Sequence, residues 1–308
     1  MSEHYPRIRV RVECGALMIR EGVSITFYMR HSHAEVARAV LRSLELYRRA
    51  VQPHEFRQYS HEAGASLTLD EAGWERKRIE LLDDHGAIIE MNAGAVGESE
   101  YHFVYHGRPI DELMPWGYEP DRVCAVSFWL PTEYLEEHGP GRVRELALEL
   151  GAPLPFCSGH AGLAFYCDTS ILGTWREVLK FCFRYPGLEI PSHDLHSLEL
   201  GTRVRTVNWL TFLGQPVLGE VGGVAGLRSR LHSPGTTVQE LEAERAVITL
   251  GPWPEAGDTA QGQVLPAYRE LARVLEPWLY QEKLRSRLPA DHEVLRWERR
   301  FLDGAPPA

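Results

Sequence analysis

The chain has 308 residues, 44% hydrophobic and 25% charged, an ordinary globular balance that excludes disorder over most of its length. Its formal net charge of −10 excludes a general nucleic-acid binder, which needs a basic footprint to displace counterions from phosphates. No run reaches the roughly 18 apolar residues of a membrane helix, and the opening MSEHYPRIRVRVE has no apolar signal-peptide core, so no membrane span and a cytoplasmic location are expected.

The chain begins with two-residue alternation. Ile8, Val10 and Val12 oppose Arg7, Arg9 and Arg11, the pattern of a strand with one wet face. Arg20-Glu21-Gly22 reads as a turn into a second strand, GVSITFYMR, and the two predict an antiparallel hairpin. Val36, Val40, Leu44 and Tyr47 then recur at helical steps, and Pro53 ends that helix. EFRQYSHEAGASLTL has room for a strand. DEAGWERKRIELLDD fits either a helix or a strand, whereas AIIEMN and EYHFVYHG read as strands.

Residues 107–121, rich in Pro, Gly and acid, are the best internal boundary and suggest halves at 1–115 and 116–308, although one continuous globule also fits. VCAVSFWLP then predicts a strand and the stretch ending RVRELALELG a helix. This repeats the earlier strand-helix order, so two related α/β halves are conceivable. HAGLAFYC is a strand, ILGTWREVLKFCF a helix, PSHDLHSLEL a loop, and TRVRTVNWLTFLG a strongly β-forming run. GEVGGVAGLRSRLH predicts a Gly-rich turn into a short helix, and TVQELEAERAVITLG a loop and last strand. PAYRELARVLEPWLY and ADHEVLRWERRFLDG predict the closing helices. The fold class expected is α+β, a mainly antiparallel sheet flanked by helices.

Candidate chemistry is thin. Five cysteines show no metal or redox spacing, so none is assigned a role. His31 and His33 sit at a helix start, where Ser32 is a cap. His193 and His196 are the better histidine candidates. They lie in a loop and could serve a metal-assisted hydrolase with a distant acid, though loop hydrogen bonding explains them more simply. Ser158-Gly159-His160 is no nucleophile elbow and reads as a turn before a strand. Gly219 to Gly226 lacks the Lys-Ser or Lys-Thr ending of a phosphate loop. No cofactor is expected.

The signals that remain are interfacial. Trp116 and Trp253 sit in the Pro/Gly loops PWG and GPWPEAG, where rigid aromatic residues commonly anchor interfaces. Residues 61–100 carry three basic and ten acidic residues, Asp83 and Asp84 among them, and could face a basic partner. Trp116, Trp253, Asp83 and Asp84 are therefore the candidate partner-binding residues.

Five segments carry a family likeness: Ser158 to Phe165, Arg184 to Leu188, Val207 to Gly214, Gly251-Pro252 through Gly257-Asp258, and Pro266-Ala267-Tyr268. They resemble the bacterial type VI immunity family, most firmly over residues 122–280. The resemblance implies a protein that protects its producer by binding a cognate secreted effector without catalysis. It supplies no catalytic residue. An effector-carrying scaffold or chaperone is a further alternative to the hydrolase.

Overall fold

A 13-residue strand, Leu17–Met29, with every residue buried, is the axis of the computed structural model. The structure describes residues 4–60, 66–94, 101–110, 120–167, 171–282 and 289–303. In chain order the strands are β1 (Arg9–Arg11), β2 (Leu17–Met29), β3 (Gln58–Ser60), β4 (Ser66–Thr68), β5 (Ala87–Asn92), β6 (His102–Gly107), β7 (Cys124–Pro131), β8 (Ser158–Cys167), β9 (Leu210–Leu213), β10 (Thr236–Leu241) and β11 (Arg245–Leu250). The helices are α1 (His33–Ala50), α2 (Glu71–Leu81), α3 (Thr132–Gly151), α4 (Thr174–Cys182), α5 (His193–Glu199), α6 (Val217–Glu220), α7 (Gly223–Arg228), α8 (Pro266–Leu275) and α9 (Pro289–Glu298).

These strands form one sheet in the order β10-β11-β9-β8-β2-β7-β6-β5-β3-β4, with every pairing antiparallel. The expected α+β class holds. β1 pairs with β2 at Arg20 and Ile19, on the edge that β7 takes further along. Strands from both sides of residue 115 meet at β2, which lies between β7 and β8. The strand-helix units β2–α1 and β7–α3 lie side by side, their helices packed together.

Alternation along β2 sorts its residues onto two faces. Val23, Ile25, Phe27 and Met29 face α1 and α3, and α1 answers with Val36, Val40, Leu44 and Tyr47. Each such side chain contributes about 1.5–3 kcal/mol on full burial. Ser24, Thr26 and Tyr28 point the other way, yet they too are at most 2% exposed. The second face is covered by α5 and the segment from Glu189 to Asn208, whose Glu189, Arg205 and Asn208 are buried.

Several expectations change. Arg20-Glu21-Gly22 is continuous strand, and the hairpin turn lies at 12–16, closed by Val12 N–H donating to the Ala16 carbonyl at 3.0 Å. The charged pair looked turn-like, but both charges are consumed inside. Glu21 accepts from Thr132 at 3.0 Å and from the Ile8 amide at 2.7 Å and pairs with Arg9, while Arg20 pairs with Glu133 at 2.6 Å. The undecided stretch at 71–81 is helical, capped by Asp70, which accepts from the Gly73 amide at 2.8 Å.

The loop expected at PSHDLHSLEL is helix α5, and Ser158-Gly159-His160 lies inside β8 rather than before it. Only Leu210–Leu213 of the β-forming run joins the sheet, because residues 203–209 cross its second face and deliver Arg205 there. Thr236–Leu241, expected as loop, is the edge strand β10. α3 is broken at Gly139, whose φ of 75° precedes Pro140.

Candidate interaction surface

The histidines are the first place to look for chemistry. β6 and β8 place His102, His106 and His160 on the sheet's second face, and α5 adds His193 and His196 above them. Burial drives His106, His160, His193 and His196 toward the neutral form. His160 falls to about 4, chiefly through burial, with Arg205 and Arg300 adding to the effect. His106 also falls to about 4, through burial and the Arg108 guanidinium. His193 reaches about 3 through burial and its imidazole neighbours, and burial with Arg205 sets His196 well below the ordinary value.

Each of His160, His193 and His196 has a buried Nδ1 without a hydrogen-bond partner among the described residues. Among those residues no three His, Cys, Asp or Glu converge as metal ligands. Ser158 Oγ donates to the Arg203 carbonyl at 2.9 Å rather than to His160. His102 instead bonds Glu90 at 2.9 Å and holds its carboxyl down at about 2.

Beside this layer lies a four-charge network that the sequence did not announce. Glu189 pairs with Arg300 at 2.7 Å and Arg205 at 3.2 Å, and Arg205 reaches Glu298 at 3.3 Å. All four side chains are 2–5% exposed. Burial works to raise the Glu189 carboxyl, but the two guanidiniums outweigh it and hold it below the usual range. The network ties α9 to the segment beside β8, where the Phe165 amide donates to the Glu189 carbonyl at 2.8 Å.

Asp83 and Asp84 lie fully outside, on the turn from α2 to β5. The turn is held from within. His33, 0% exposed at the start of α1, donates through Nε2 to the Asp83 carbonyl at 2.8 Å, and its Nδ1 accepts from Tyr105 Oη at 2.8 Å. Asp83 Oδ1 accepts from the amide of His85 at 2.9 Å, which keeps its carboxyl below the ordinary value. Ile79 and Leu82 are exposed on the same helix end.

Trp253 is half-buried, its ring stacked on His4 with centroids 4.8 Å apart and planes 8° from parallel. His4 Nδ1 also meets Glu255 Oε1 at 2.6 Å. His4 and Glu255 escaped the sequence reading, because no local pattern links residues 251 positions apart. Trp116 lies outside the described residues. The Asp83 turn is thus held by the buried His33 and the Trp253 ring by its stack on His4, while the histidine layer lies on the sheet's second face.

An antiparallel sheet closed on both faces, with acidic and aromatic turns outside, places the protein in the α+β class. The Pseudomonas aeruginosa T6SS protein PA0821 has this fold: its TM-score is 0.79 at 20% identity, covering 95% of this chain and 87% of that one. The chain belongs to the family described as Type VI immunity for VRR-NUC, whose model matches residues 39–301. No curated protein matches it.

Proposed function

We propose that this protein is a non-catalytic immunity protein of the cytoplasm that binds a cognate VRR-NUC effector, a nuclease by its name, and blocks it directly. Membership of the immunity family over residues 39–301 carries the reading. The net charge of −10 supports it, since an enzyme that grips phosphates presents a basic face and opposite fields speed encounter. Asp83, Asp84, Trp253 and Trp116 are the proposed contacts. The buried, neutral histidines favour packing over the hydrolase alternative.

Co-expression tests the proposal. The VRR-NUC protein encoded nearest to this gene should arrest growth alone, co-purify with this chain, and be harmless beside it. Co-purification without rescue would identify a carrier scaffold instead.

A further inference from the structure

A cleft of about 290 Å³ opens between the Trp253 loop and the start of α8. Leu250, Leu265 and Tyr268 give it apolar walls, and Val264, 66% exposed, stands on its rim. Among the described residues, Glu255 is the one charged residue lining it. Both final segments of the family likeness, 251–258 and 266–268, build the cleft, and neither the histidine layer nor the acidic turn accounts for it.

We propose that this cleft receives an arginine or lysine side chain from the nucleic-acid-binding face of the toxin. The inference rests on the reading above that the partner is a VRR-NUC nuclease. Such a partner must carry Arg and Lys to meet phosphates. Their stems are apolar and their heads cationic, and this cleft has the same division. Leu250, Leu265 and Tyr268 offer surface to the stem, and Glu255 offers a carboxylate to the head.

The Glu255 side chain is 40% exposed, and among the described residues its one hydrogen-bond partner is His4, on Oε1. A carboxylate accepts about four hydrogen bonds, so Oε2 has capacity left for a guanidinium. Burial also raises the Glu255 carboxyl, so a cation would relieve a real cost. The carboxylate rejects an anionic guest. Alongside, the Trp253–His4 stack gives a flat aromatic face of the kind that centres an interface.

Titration calorimetry of the full chain against an inactivated form of the neighbouring VRR-NUC protein tests this. Glu255→Gln removes the charge, and Val264→Arg sets a competing cation at the mouth from an exposed position. Glu149→Gln on α3 is the matched control. Both cleft variants should weaken Kd by about tenfold or more, with the control unchanged. Wild-type binding with both variants within about twofold of it overturns the cleft and leaves the immunity reading standing. A loss confined to Glu255→Gln and accompanied by a lower melting temperature also overturns it, since that reports the His4 contact. If the wild type does not bind, both readings fall.

Discussion

Arg300 donates from Nη2 to Glu189 Oε2 across 2.7 Å and so closes the last helix onto the segment beside β8. Glu189 is 1% exposed and faces two guanidiniums. Removing one partner of a buried pair strands a charge, which costs about 3–5 kcal/mol. Glu189→Gln should therefore lower the unfolding free energy by that order, read as a lower urea midpoint with an unchanged slope. A midpoint like that of the wild type would mean that the network is solvated and dispensable.

Acid should destabilise the protein early. His106, His160, His193 and His196 have folded-state values below the ordinary 6.5. Their contribution is fully present above pH 6.5 and is lost as pH falls toward the folded values of about 4 for His106 and His160. Melting temperature should decline steadily from pH 7 to 4.5. His160→Phe should flatten that decline, and an unchanged slope would remove His160 from the account.

Gly187 lets two loops touch. A Cβ there would run into the Glu255 carbonyl oxygen, and the Gly187 amide donates to the Ala256 carbonyl at 2.8 Å. Gly187→Ala should cost about 1–3 kcal/mol by overpacking and also weaken partner binding, because the Trp253 loop must move. Denaturation and calorimetry together check the coupling.

Interface variants should act without unfolding. Trp253→Ala should weaken toxin binding by about 1–2 kcal/mol or more. Asp83→Asn with Asp84→Asn should chiefly slow association and reduce its salt dependence. Stopped-flow rates at two salt concentrations separate the two effects.

The hydrolase alternative makes the opposite forecast for His193. His193→Gln should leave growth protection intact, measured as colony counts under toxin induction. Loss of protection in a folded variant would restore a catalytic role.

Much of the fold was legible locally. The helical rhythm of Val36, Val40, Leu44 and Tyr47 and the β-forming runs at 123–131 and 160–167 gave element and type correctly. Charge misled where pairing was distant, as at Arg20-Glu21, because no neighbour in sequence shows that Glu133 and Thr132 await them. The candidate site was half legible. Trp253 stood out by its Pro/Gly setting, while its companions His4 and Glu255 did not.

By itself, then, the sequence determined most of the helices and strands, the apolar face of the periodic ones, the acid balance and the family likeness. Periodicity and composition are local quantities and survive in one dimension. Only the tertiary structure decided that the polar face of β2 is sealed, that five histidines gather over it and that Glu189 meets Arg205 and Arg300. Burial and charge pairing depend on which remote segment arrives, and that is settled when the whole chain packs.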